Sequence, residues 1–153
     1  MSEIENILDE LKRVHNGDAW HGPALHELLS GVTAEQAARH PISDAHSIWE
    51  LVLHIAAWEN VFRRRLEGIS VNEPEEGDFP QVGEETQGAW EQTLAGLESA
   101  HEQLLKAIAA LPDSGLGETV TGKDYSIRFM LRGIVRHHVY HAGQIGLLKK
   151  NIA

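Results

Sequence analysis

The chain has 153 residues, with 13 lysines and arginines against 23 aspartates and glutamates, for a formal net charge of −10. A surface of this sign repels the phosphates of nucleic acids and of anionic membranes, so we expect neither as a partner. The chain contains no cysteine, which excludes disulfides, zinc–thiolate sites and cysteine nucleophiles.

The length and the 42% content of hydrophobic residues fit a single domain, 1–153, with one sizeable core. No apolar stretch reaches the ~20 residues that span a bilayer. The charged start MSEIENILDELKR lacks the apolar centre of a secretion signal. We therefore expect a cytoplasmic protein that acts on a small molecule.

The first half of the chain predicts helices throughout. Apolar residues at helical spacing predict a helix over residues 3–15, and a shorter helix follows at about 23–30. Thr33 in TAEQ predicts a capping box for one or two turns that end before Pro41. A second capping box, Ser47 with Glu50, opens a helix whose broad apolar stripe ends near Gly68.

The second half adds two long helices. Residues 69–82 carry two prolines, a glycine and four acids, which predicts a surface loop. A long helix is predicted from about 83 to 110, then a loop or short hairpin over 113–125, and a last helix over 127–149 capped by Ser126. Four substantial helices predict an all-α four-helix bundle. The long loops at 18–46 and 69–82 predict crossover connections, or lids over a site.

Histidines provide the strongest functional signal. His137 and His141 lie four residues apart in HHVYHAGQI, so on a helix they share one face. The helical period places His138 and His141 within about 40° of the inward direction and His137 about 60° from it, so it does not choose between His137 and His138. His54 lies on the apolar stripe of the helix that Ser47 opens. Because neutral imidazole binds zinc, nickel, copper and iron, histidines from two helices could hold one metal ion inside the bundle.

Other polar residues are weaker candidates. His21 and His46 flank the loops that could cover the site, and His101 is interpreted as a structural or surface residue. Glu50 or Glu59 could accept a hydrogen bond from the second nitrogen of a ligand. The competing interpretation is a buried polar network, in which the histidines bind only carbonyl or carboxylate groups.

The chain resembles the DinB-like superfamily, also called YfiT-like, over nearly its whole length. The resemblance rests on SIWELVLHIAAWE and on HHVYHAGQI, which is similar to the HxxxH-x-G-Q motif of that family. It implies a four-helix bundle with crossover connections and metal ligands at His54, His137 and His141, with zinc or nickel as the metal. It also implies a homodimer, to which the small residues Ala142 and Gly143 would contribute.

The resemblance implies several kinds of chemistry. Three histidine ligands leave an open position on the metal, which is typical of a catalytic site. Relatives include thiol-dependent isomerases and S-transferases that use low-molecular-weight thiols, and other members are described as hydrolases. Because no general base is evident on the inward faces, we favour thiol-dependent S-transfer, with metal-dependent hydrolysis as an alternative. A further alternative is a non-catalytic metal-binding or dimerisation module.

Overall fold

The computed structural model describes residues 1–152, which form helices joined by loops. The helices are α1 (Glu3–Asn16), α2 (Leu25–Leu29), α3 (Ala34–Ala38), α4 (Ile48–Leu66), α5 (Gln87–Ala109) and α6 (Ile127–Lys149), with one 3-10 turn at Asp113–Gly115. These residues contain no strand, and a single β-bridge joins Thr119 to Ser126. The prediction of an all-α fold is confirmed. Within the same residues, no helix has the length and apolar character that a membrane crossing requires.

The two helices that carry the candidate ligands begin where the sequence predicts. At the start of α4, Ser47 Oγ accepts a hydrogen bond from the backbone N–H of Glu50, and the Glu50 carboxylate accepts one from the N–H of Ser47. At the start of α6, Ser126 Oγ accepts from the N–H of Phe129. These caps satisfy backbone donors that have no partner within the helix.

The predicted start of α5 is wrong. The helix begins at Gln87 rather than near residue 83, because Thr86 is its N-cap and accepts a hydrogen bond from the N–H of Ala89. Residues 83–86 therefore lengthen the preceding loop. The segment 113–125 was predicted to be a loop or a short hairpin, and it is a loop with one short turn.

The four long helices contact one another in a closed ring. α4 packs against α5 and α6, and α1 packs against the same two helices. The pairs α1–α4 and α5–α6 are not among the extensively packed ones. The two connections that join these pairs therefore pass across the bundle, whereas the loop between α4 and α5 joins neighbours.

The core consists of two apolar clusters with a polar layer between them. On α5, His101 lies between Leu97 of one cluster and Leu104 of the other. On α6, three histidines lie between Ile134 of the second cluster and Ile145 of the first. The middle of the bundle thus holds polar side chains that the hydrophobic core brings together.

Candidate metal centre

Three histidines from two helices converge on one point. His54 belongs to α4, and His137 and His141 belong to consecutive turns of α6. The Nε2 atom of His54 lies 3.1 Å from that of His137 and 3.0 Å from that of His141, and the last two are 3.0 Å apart. Three nitrogens at these separations can all lie at about 2.0–2.1 Å from one point, the bonding distance of zinc. The residues therefore form a group that could hold a metal ion.

Hydrogen bonds at the second ring nitrogen fix the tautomer of two of these histidines. His54 Nδ1 lies 2.6 Å from the backbone carbonyl oxygen of Asp78, so it must donate. His141 Nδ1 lies 2.6 Å from Oε1 of Gln144 and donates to it. A neutral imidazole has one N–H, so the Nε2 atoms of both rings carry lone pairs. This is the arrangement by which metal-binding histidines are usually oriented.

The environment keeps the three rings neutral. Burial lowers the pKa of His54 and of His141. Burial, together with the charge that neighbouring histidines would carry, lowers the pKa of His137 to about 3. Neutral imidazole is the form that binds a metal, so the site is competent to bind one at neutral pH.

Aromatic rings surround the three histidines. Phe79 stacks on His54 with ring centroids 4.1 Å apart, and Tyr140 meets His141 edge-on at 5.1 Å. Phe62 meets His137 edge-on at 6.0 Å. Phe79 comes from the loop at 69–82, as does Asp78, so this loop shapes one side of the site.

The weaker candidates near the loops form a separate surface group. His46 and His40 both hydrogen-bond to Glu50, at 3.0 and 3.1 Å. His46 also stacks on Phe79 with centroids 3.6 Å apart, so it supports the loop and not the point where the nitrogens meet. His21 is exposed. Glu50 bonds to these two histidines and to the cap of α4, and not to a converging histidine.

A second buried cluster lies beside the first. The Oε1 atom of Glu59 is 2.5 Å from Nε2 of His138 and 3.1 Å from Nδ1 of His101. The ring of His15 stacks on that of His101 with centroids 3.6 Å apart. The four residues are at most 2% exposed. Of the two interpretations of His101, structural or surface, the structural one is correct. Glu59 accepts from these histidines instead of from a residue of the first group.

The hydrogen bonds of His138 and the directions of the pKa shifts favour an ion pair in this cluster. Its Nδ1 faces the backbone carbonyl oxygen of Ile134 at 2.9 Å and must donate, and its Nε2 donates to Glu59. Burial opposes both charges, yet the hydrogen bond and charge of Glu59 raise the pKa of His138. Burial would raise the pKa of Glu59, but hydrogen bonds from His101 and His138 lower it to about 2. A buried imidazolium thus neutralises a buried carboxylate.

The second cluster could also hold a metal ion, since its four ligand atoms lie within 4.8 Å of one another. Two features favour the ion pair. The rings of His15 and His101 are within 6° of parallel, so their in-plane lone pairs lie in separate planes and cannot both be directed at one ion. His138 already donates from Nδ1 to a backbone carbonyl, so its contact with Glu59 through Nε2 leaves this ring no lone pair for a metal when the ring is protonated.

The sequence matches a family model described as the DinB superfamily over residues 19–145, which include His54, His137 and His141. The match covers well over half of the chain. No curated protein matches the sequence.

Proposed function

The chain belongs to the DinB superfamily, and we propose that it is a metal-dependent enzyme that binds one divalent ion through His54, His137 and His141. The observation that carries the proposal is the approach of three Nε2 atoms to within 3.0–3.1 Å of one another. Two of these atoms carry lone pairs, because their rings donate from Nδ1. Lone pairs this close repel each other, and a cation between them converts the repulsion into bonding.

Zinc or nickel suits a site of this composition. Imidazole nitrogen binds both metals, and the chain has no cysteine that would select a softer ion. Among residues 1–152, the group contains three histidines and no fourth side chain of a ligating type. Three protein ligands leave a coordination position for a small molecule, as in catalytic zinc sites.

The protein residues orient and shield this site. When bound, the ion would lower the pKa of a water or thiol at the open position. Asp78 and Gln144 hold the rings of His54 and His141 in one orientation. Phe79, stacked on His54, excludes water from one side.

Neither of the two nearby carboxylates is placed to act as a general base, which favours thiol transfer over hydrolysis. Hydrolysis benefits from a general base within reach of the attacking water. The Asp78 carboxylate accepts from the indole of Trp58 at 2.7 Å and lies beside Nδ1 of His54, not Nε2. Glu59 is buried and engaged in its ion pair. A thiol loses its proton more readily than water does, so it needs less help from a base.

We therefore favour S-transfer with a low-molecular-weight thiol. In this reaction the thiol sulfur forms a bond to an electrophilic carbon of the second substrate. The bond from that carbon to its leaving group breaks with its electron pair, and the thiol proton departs with the leaving group. Hydrolysis is the second candidate, and a non-catalytic metal-binding module is the third.

Assays of metal-depleted and metal-reloaded protein test the proposal. Protein with one equivalent of zinc or nickel is mixed with small thiols and carbon electrophiles, and separately with esters and amides. We expect thioether formation that His141→Ala abolishes and that the exposed control His21→Ala preserves, with the same helix content by circular dichroism in both. Ester or amide hydrolysis alone would favour the second candidate. Activity that does not depend on metal would reject the proposal.

A further inference from the structure

We propose that Glu59 and His138 form a buried clamp that positions the helices α4 and α6 for metal binding. The inference rests on the proposed metal site, and it assigns these two residues a positioning role instead of a ligating one. Glu59 follows His54 by five residues on α4, and His138 directly follows His137 on α6. The clamp therefore joins the same two helices that supply the three converging nitrogens.

Within the described part of the chain, His137 lacks the hydrogen bond that orients each of the other two converging histidines. His54 and His141 are oriented by hydrogen bonds from Nδ1 to Asp78 and Gln144. The Nδ1 atom of His137 is buried and has no hydrogen-bond partner within residues 1–152. Its ring position therefore depends on the placement of the α6 backbone. The bond from His138 to Glu59, one residue further along, sets that placement relative to α4.

Residues of the other two long helices, α5 and α1, support the clamp. Glu59 Oε1 receives a second hydrogen bond from His101 on α5, at 3.1 Å. His15 of α1 stacks on His101 at 3.6 Å and bonds to Glu98 at 3.0 Å. All four long helices thus contribute to one buried network. Separating a buried ion pair leaves each charge uncompensated in the interior, so we infer that the network favours one register of α6 against α4.

Cobalt binding measures this role without any assay of activity. The wild-type protein, Glu59→Gln and His138→Gln are freed of metal and titrated with Co²⁺, and the affinity and visible absorption spectrum are recorded. Both substitutions keep a polar side chain of similar length but remove the ion pair. We expect Co²⁺ affinity to fall about 10- to 100-fold, the usual effect of losing a group that orients metal ligands, and the spectrum to change.

The control is a variant that weakens the fold at an apolar residue and leaves Glu59 and His138 unchanged. Leu104 is fully buried in the apolar cluster next to α1, so Leu104→Ala destabilises the bundle through a cavity. All variants are compared at a temperature where circular dichroism shows them folded. We expect Leu104→Ala to keep the wild-type spectrum and an affinity within a few-fold of the wild-type value.

Three other outcomes would contradict the clamp or the metal site on which it rests. If the two clamp variants bind Co²⁺ as the Leu104 control does, the ion pair is only structural and the proposed clamp is wrong. If the wild-type protein binds no Co²⁺, the metal function itself fails, and the clamp role with it. If the wild-type protein binds two ions per chain and Glu59→Gln binds one, Glu59 is a ligand and the clamp is again wrong.

Discussion

The Nε2 atom of His54 lies 3.0 Å from the Nε2 atom of His141, although both rings donate from Nδ1 and present lone pairs at Nε2. A hydrogen-bonded histidine network would place a donor opposite an acceptor at this distance. The pair therefore distinguishes this cluster from the one around Glu59, where Oε1 of Glu59 accepts from both His138 and His101. Histidines occur in both clusters, and the positions of their protons decide which cluster favours a metal.

The first prediction concerns the identity of the ligands. We expect purified wild-type protein to bind one equivalent of zinc or nickel, and His137→Ala to lose most of it. His138→Gln should keep the stoichiometry of one, because the side chain of residue 138 does not reach the site. Its affinity for the metal should be lower, because the clamp with Glu59 is lost. Elemental analysis after dialysis measures both. The opposite pattern, with metal retained by His137→Ala and lost by His138→Gln, would show that the assignment is wrong.

The second prediction concerns the buried ion pair. Glu59→Met or His138→Leu alone leaves one buried partner uncompensated, which costs about 3–5 kcal/mol of unfolding free energy. The double variant replaces both with apolar side chains, and we expect its loss to be smaller than the sum of the two single losses. Urea unfolding of the metal-free proteins gives the three values. Additive losses would mean that the two residues do not interact in the folded state.

The third prediction is a loss of stability in acid. Burial, followed by the charge of His101, lowers the pKa of His15 to about 4. The unfolded chain binds a proton on this residue near pH 6.5 and the folded chain only near pH 4, so stability is lost as pH falls through this window. Glu59, with a pKa lowered to about 2, adds a loss below pH 4.5. The pKa of His138 is raised, so the stability that this residue contributes is present below pH 6.5 and is lost only as pH rises above that value.

A variant of His15 measures how much this residue contributes to the loss of stability in acid. We expect His15→Gln, in metal-free protein, to reduce the dependence of unfolding free energy on pH by at most about 1.4 kcal/mol per pH unit between pH 6.5 and 4. His21→Gln, at an exposed position, is the control and should keep the wild-type slope. An unchanged slope in His15→Gln would show that this residue titrates normally in the folded chain.

The fourth prediction is a homodimer. Phe129, Tyr140 and Leu147 are exposed on α6, and Gly143 lies on the same face of that helix. Ala142, which the sequence suggested as an interface residue, is buried within the chain. We expect light scattering to give twice the chain mass of 17.0 kDa, and Leu147→Glu to weaken the association. A wild-type monomer at micromolar concentration would contradict this.

The sequence predicted the helices best where capping side chains mark them. Ser47 and Ser126 placed the starts of α4 and α6 correctly, because a side-chain oxygen before an apolar run satisfies a free backbone donor. The start of α5 was wrong because Glu84 and Glu85 are good helix formers, while Thr86, which follows them, ends the loop as a cap. Helix propensity predicted an earlier start than the capping residue does, and the capping residue determines where α5 begins.

The site was predictable only in part. The i, i+4 spacing brought His137 and His141 together, but the choice over His138 depends on how α6 rotates against α4. The contribution of Asp78 to the orientation of His54 could not be predicted, because its backbone carbonyl has no residue-type signature and lies in an irregular loop. The second cluster did have a signal. Each member follows a buried apolar residue by four positions: His15 after Leu11, Glu59 after Ile55, His101 after Leu97, and His138 after Ile134.

A crystal structure of the zinc-loaded protein, with the ion located by anomalous scattering, tests the central claim most directly. We predict one ion bonded to Nε2 of His54, His137 and His141 at about 2.0–2.1 Å, with water or another small ligand completing its coordination. An ion with a fourth protein ligand would be structural and would contradict the enzymatic proposal. An ion held instead by His15, Glu59, His101 and His138 would contradict the assignment of the site itself.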